Sequence, residues 1–187
     1  QLPAPITTLS RVLNISTRLQ HTLAITSDGS VWSWGNNLLG QLGDGTTTNR
    51  STPIRVTGLS NVRSVAAGDQ HSLALDRSGN VWTWGSNAVG QLGDGTTTDR
   101  LTPVRAAGLS NVVAISAGEN FSCAITTDSR LWMWGWNASG QLGTGSSPSP
   151  VPVPAAIPDL AAFQAVSCGI KSAVAMRTDG TVWTWGH

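Results

Sequence analysis

The segment Val81 to Arg100 recurs fifty residues upstream as Val31 to Arg50, fifty residues downstream as Leu131 to Gly145, and a last time, shortened, as Val182 to Gly186. Self-similarity at a fixed period restricts the fold to a solenoid, a propeller or an array. Each copy is a small unit that cannot bury its own apolar face and must stack on its neighbours. The chain therefore reads as one repeat domain, 1–187, with units 1–50, 51–100, 101–150 and 151–187.

The repeated core, Val-Trp-Thr-Trp-Gly at 81–85, has the period of a strand. Trp82 and Trp84 share one face, and Val81 and Thr83 take the other. Eight of the nine tryptophans fall in such pairs: Trp32 with Trp34, Trp82 with Trp84, Trp132 with Trp134, and Trp183 with Trp185. A buried indole contributes a gross stabilisation of roughly 4–6 kcal/mol as an upper bound. Paired indoles are therefore expected to hold adjacent units together.

Within the second period four extended segments follow: Asn61 to Ala67, His71 to Asp76, Asn80 to Gly85 and Leu101 to Ala106. Gly68-Asp69-Gln70 and Arg77-Ser78-Gly79 connect the first three with turn chemistry, and a long Gly- and Thr-rich loop, Ser86 to Arg100, precedes the fourth. In the second segment Leu73 and Leu75 face one way and Ser72 and Ala74 the other, a bulky side against a flat one, which suits interdigitating sheets. No helical pattern survives comparison among the copies. The fold class expected is all-β, a β-propeller of four-stranded antiparallel blades, about four blades' worth.

The order Gly68-Asp69-Gln70-His71-Ser72-Leu73-Ala74-Leu75, then Gly79-Asn80-Val81-Trp82-Thr83-Trp84-Gly85, then Gly90-Gln91-Leu92-Gly93, resembles the regulator of chromosome condensation repeat. The Gly-Asp-Gly-Thr-Thr-Thr loops followed by Thr52-Pro53 and Thr102-Pro103 look most like bacterial members. The resemblance implies a propeller, commonly seven-bladed, whose repeats serve protein recognition. It also brings two family roles as analogies: nucleotide exchange on a small GTPase, known for the eukaryotic founder, and enzyme inhibition, as in the β-lactamase inhibitory propellers. Two departures stand out. Arg18 replaces the glycine found at Gly68, Gly118 and Gly169, and the position of His21 and His71 holds Phe121 and then Ser172.

Residues 1–7 align with a fourth blade strand, while the sequence ends after a third. The blades are thus expected to form an open arc, part of a larger ring, half of a dimeric ring closed by self-association, or a closed four-blade ring.

Composition narrows the partners. Eleven Lys and Arg against ten Asp and Glu leave no basic surplus for phosphates, so nucleic acid and anionic membrane are not expected partners. The Thr- and Asn-rich, Lys-poor surface points to an extracellular or cell-surface protein, with a cytoplasmic one left open. Cys123 replaces Leu73 of the preceding repeat, and Cys168 replaces Ala67 and Ala117. Two buried free thiols are the plain reading, and a bridge between adjacent repeats the sharper one.

Catalytic constellations are absent from the pattern. Gly40-Gln41-Leu42-Gly43-Asp44-Gly45 lacks the Lys-Ser or Lys-Thr and the helix N-terminus of a phosphate cradle, so its glycines are read as turn formers. Asp94, Thr98 and Asp99 are too sparse for a dedicated calcium site. His21, His71 and His187 lack metal-ligand spacing. No metal or cofactor is expected.

What varies among the copies is the loop between first and second strands: Leu19-Gln20-His21, Asp69-Gln70-His71, Glu119-Asn120-Phe121 and Ile170-Lys171-Ser172. Variable loops on a constant scaffold are where recognition is placed. The candidate partner-binding residues are Gln20, His21, Asp69, Gln70, His71, Glu119, Asn120, Phe121 and Lys171, with Phe121 as an aromatic anchor and Trp136 as the unpaired indole in a nearby loop. The expected function is a non-enzymatic protein-binding scaffold, bacterial and exported, with a glycan-binding propeller as the alternative.

Overall fold

The computed structural model describes residues 5–145, 149–158 and 160–187. Residues 1–4 of the expected strand-equivalent 1–7 lie outside them, and residues 5–7 carry no strand. Every regular element among the described residues is a strand. Blade 1 comprises β1 (Val12–Arg18), β2 (His21–Thr26), β3 (Val31–Gly35) and β4 (Arg50–Arg55). Blade 2 comprises β5 (Val62–Ala67), β6 (His71–Asp76), β7 (Val81–Gly85) and β8 (Arg100–Arg105). Blade 3 comprises β9 (Val112–Ala117), β10 (Phe121–Thr126), β11 (Leu131–Gly135) and β12 (Val151–Ala156), and blade 4 comprises β13 (Phe163–Cys168), β14 (Ser172–Arg177) and β15 (Val182–Gly186). Each blade is an antiparallel meander in sequence order, and among the described residues the four sheets form an open arc of a propeller.

Register explains the packing. Ala74 pairs with Trp82 and Ser72 with Trp84, so these four share the face that β6 and β7 turn towards blade 1. There Trp84 meets Leu23, Ile25 and Val31. Leu73 and Leu75 face the other way and meet Ala117, Ala124 and Trp134 of blade 3. Bulky rows thus meet rows of small residues, the pairing that lets stacked sheets interdigitate.

The two indoles of a pair are not equivalent, which corrects the expectation of paired burial. Trp84 and Trp134 are fully buried, whereas Trp82 and Trp132 are half-buried and donate Nε1–H to Asp76 and Thr126 within their own blades. The second indole of the pair reaches the preceding blade's long loop, buried at Trp84 and Trp134 and half-buried at Trp185. Trp84 Nε1–H donates to the Gln41 carbonyl at 2.9 Å, Trp134 to Gln91 at 2.9 Å and Trp185 to Gln141 at 2.8 Å.

The glycine beside each of these carbonyls makes room for the ring. At Gly93 (φ +68°) a Cβ would lie 2.7 Å from Trp134 Nε1, whereas at Gly95 (φ +85°) nothing lies within 4 Å. The long loop then continues forward, Gly45 N–H donating to Leu101 O and Gly95 N–H to Pro152 O, each on the next blade's last strand.

These contacts generate a paired expectation. Gly95→Ala carries only the left-handed backbone cost, about 1–2 kcal/mol. Gly93→Ala adds a steric conflict with the indole and costs about 2–4 kcal/mol. Urea unfolding of the two variants measures the difference, and equal losses would show that the indole contact does not limit stability.

Candidate interaction site

The meander places the turn between first and second strands, and the beginning of the long loop, on one rim. Backbone hydrogen bonds seat the loop on the turn: Asn36 N–H donates to Gln20 O, Ser86 to Gln70 O, Trp136 to Asn120 O and His187 to Lys171 O. Across three blades this rim forms a groove of about 150 Å³ lined by Leu19, Gln20, Asp69, Gln70, Glu119 and Asn120. Five of the candidate binding residues therefore share one concavity. Trp136 and Lys171 are exposed on the same rim but do not line it.

Arg18 closes the base of this rim and accounts for its departure from glycine. Its guanidinium bonds the Asp69 carboxylate and reaches the carbonyls of Ala117 at 3.5 Å and Cys168 at 3.2 Å, so one side chain from blade 1 touches the first turn of blade 2 and the inner strands of blades 3 and 4. Asp69 is consequently engaged within the chain. The Glu119 carboxylate has no ion-pair partner among the described residues.

Three candidates belong to the interior instead. His21, His71 and Phe121 are at most 1% exposed. Each is the first residue of its strand and shares a face with the apolar residues two and four positions on, which turns it inward. His21 Nε2 lies 2.9 Å from Ser72 Oγ, and His71 Nε2 lies 2.9 Å from Ser122 Oγ. Ser72 and Ser122 donate their own hydrogens to the carbonyls of Gln41 and Gln91. The hydroxyl oxygen must therefore accept, which fixes the proton on Nε2 of each histidine and leaves Nδ1 the unpartnered atom. Burial pushes the His21 pKa down to about 4 and that of His71 to about 3, where the nearby positive groups His21 and Arg18 add to the burial effect.

The long loops are held from within by an asparagine that the sequence reading overlooked. Asn87, fully buried, donates Nδ2–H to Asp94 Oδ1 and to the carbonyls of Thr96 and Thr98, accepts from Leu92 N–H, and donates its own backbone N–H to Asp99 Oδ1. Asp94 also binds Arg100. The carboxylates once considered for calcium are therefore occupied by the loop itself, and among the described residues no cluster of His, Cys, Asp and Glu is arranged to hold a metal.

A cavity of about 460 Å³ lies on the opposite rim beside Asp28, with a counterpart of about 230 Å³ beside Asp128. Its recurrence makes it a feature of the repeat, and Asp28 is held at about 2 by hydrogen bonds from Thr26 and Ser30. Trp136 and Trp183 are more than a third exposed, and the other seven tryptophans are half-buried or buried. That distribution gives glycan stacking no row of exposed indoles.

A family model described as RCC1-like domain matches residues 1–187. Among solved structures, the chain is similar to human WBSCR16 (25% identity, TM-score 0.84, covering 94% of this chain and 47% of that one). It is also similar to Prp20p from Saccharomyces cerevisiae (26%, 0.84, 97% and 47%), a structure described together with its binding properties to Gsp1p and histones. A further structure shows Kap60 bound to yeast RCC1 (Prp20) (26%, 0.83, 97% and 45%). A moss receptor kinase ectodomain shares the fold (18%, 0.61, 94% and 41%). The chain spans about half the length of the first three.

These likenesses bring two corrections. The natural relatives found are human, yeast and moss proteins, so the Gly-Asp-Gly-Thr-Thr-Thr loop does not mark a bacterial source; its residues serve the internal asparagine network. The expectation of a purely non-enzymatic scaffold is overturned by the likeness to Prp20, yeast RCC1, because exchange, the founder's role, is a catalysed reaction even though no side chain need react covalently.

The buried histidines give a measurable signature. Their folded pKa values lie below the ordinary value near 6.5, so as pH falls below that value the unfolded chain takes up protons that the folded chain refuses. Stability is complete above about pH 6.5 and is lost as pH falls towards 4, by up to about 1.4 kcal/mol per pH unit for each histidine. His71→Phe, which copies the residue of blade 3, should fold and roughly halve the slope between pH 6.5 and 4.5 in denaturant titrations. An unchanged slope would place the proton uptake elsewhere.

Proposed function

This chain belongs to the RCC1-like domain family, and we propose that its grooved rim is a protein-docking face that serves guanine-nucleotide exchange on a small GTPase. The observation that carries the reading is the continuous groove contributed by three successive blades, its residues differing from blade to blade on an otherwise repeated frame. Leu19, 76% exposed, supplies an apolar contact. The amides of Gln20, Gln70 and Asn120 supply donors and acceptors, and Glu119 supplies a carboxylate with no ion-pair partner among the described residues. Such a surface, apolar and polar with little net charge, suits a folded protein better than a polyanion. The likeness to Prp20p, with its binding to Gsp1p and histones and its complex with Kap60, supports a protein partner.

Exchange requires no nucleophile or metal from this chain. A surface that binds the nucleotide-free partner more tightly than the loaded one lowers nucleotide affinity by the same factor, through linkage. Glu119 would compete with nucleotide phosphates for the partner's cations, and the amides would hold the displaced segment.

The test is release of fluorescent GDP from a panel of loaded small GTPases. The chain should accelerate release from one of them saturably. Glu119→Lys or Leu19→Asp should reduce the acceleration at least about tenfold, about 1.4 kcal/mol, while Arg77→Glu on the opposite rim should leave it intact. Binding without acceleration would leave docking and remove exchange. Acceleration indifferent to both rim variants would move the site elsewhere.

A further inference from the structure

At every junction between blades the same two strand positions meet. Leu23 lies with Ala67 in the first buried cluster, and Leu73 with Ala117 in the second. At the third junction these positions are Cys123 and Cys168, the two cysteines of the chain. Their sulfurs are 2.8 Å apart, and both are buried free thiols. A large residue over a small one has been exchanged, on both sides at once, for two residues that can bond each other.

The surroundings hold both residues in place. The Cys168 N–H is bound by Ser116 Oγ at 3.1 Å and its carbonyl by Arg18, while the Cys123 thiol donates to Ser116 O at 3.5 Å. A side-chain shift of under an ångström would bring the sulfurs to bonding distance. We propose that Cys123 and Cys168 are a redox-active pair that forms a reversible disulfide locking blade 4 onto blade 3.

The oxidant is a small-molecule disulfide of the glutathione class. One cysteine thiolate attacks it, releasing one glutathione thiolate and leaving a mixed disulfide. The second cysteine thiolate displaces the other glutathione. Two thiols become one disulfide, their two electrons reduce the oxidant to two thiols, and the protons pass to these products. Burial pushes the Cys123 thiol pKa up, so attack is slow while the junction is closed and proceeds when blade 4 lifts.

Among the described residues blade 4 has three strands, and Val174, Met176 and Val182 are exposed on it. The bond would span 45 residues of chain, β10 to β13, and is independent of the exchange reading above.

The test equilibrates the chain with oxidised glutathione, traps remaining thiols by alkylation in denaturant and maps peptides by mass. The expected product is an internal Cys123–Cys168 peptide link, lighter by two hydrogens, reversed by a dithiol, with melting raised by about 5–10 °C. The double variant Cys123→Leu with Cys168→Ala, which restores the residues used at the other junctions, should fold and melt identically in oxidant and reductant. Retained thiols, glutathione adducts or chain-to-chain links in place of the internal one, or an equal redox shift in the double variant, would overturn the proposal.

Discussion

The carbonyl of one loop glutamine organises each junction. Gln41 O accepts the indole hydrogen of Trp84 and the hydroxyl hydrogen of Ser72, both from the next blade, and Gln91 O does the same for Trp134 and Ser122. A buried carbonyl with both lone pairs satisfied costs nothing to bury, and it fixes the indole in one orientation over the bulky row of its neighbour. The histidine of the preceding blade then completes the serine hydroxyl. Side chains from two blades and backbone from one thus close a network in which every member restricts the others.

This arrangement separates stability from recognition. The interior consumes His21, His71 and Phe121, which are first residues of strands, and leaves Leu19, Gln20, Gln70, Glu119 and Asn120 one or two positions earlier at the surface. A single residue step along the chain divides core from rim, because the strand begins where the turn ends. The turn can therefore change from blade to blade while the glutamine carbonyl, the indole and the glycine beside them stay fixed. Arg18 adds a link between blades that share no strand pairing, tying blade 1 to carbonyls of blades 3 and 4 across the centre of the arc.

The strands were readable because their signal is periodic: His71–Asp76 was located to the residue, and neighbouring strands to within one position. The burial of His71 was also legible, since alternation places it with Leu73 and Leu75, but its place beside a turn drew it into the rim. Asn37, Asn87 and Asn137 recur at one loop position with the fifty-residue period, but recurrence alone does not say that the side chain turns inward to bond loop carbonyls. The span of Arg18 lay beyond sequence reasoning altogether. Its acceptors are backbone carbonyls 99 and 150 residues away, which no side-chain pattern encodes.

The third junction shows how far the repeat tolerates change and on what terms. Where the first two pair a histidine with a serine, it pairs Phe121 with Ala173, and both lie in one buried cluster. An unsatisfied hydroxyl or imidazole would have been left had either changed alone, at about 1–3 kcal/mol for the orphaned group. Where the first two pair leucine with alanine, it pairs the cysteines. Both exchanges are matched across the interface. The unit of variation in this fold is therefore the junction between blades rather than the blade itself, since the constraint on any inward residue is set by the face it meets on its neighbour.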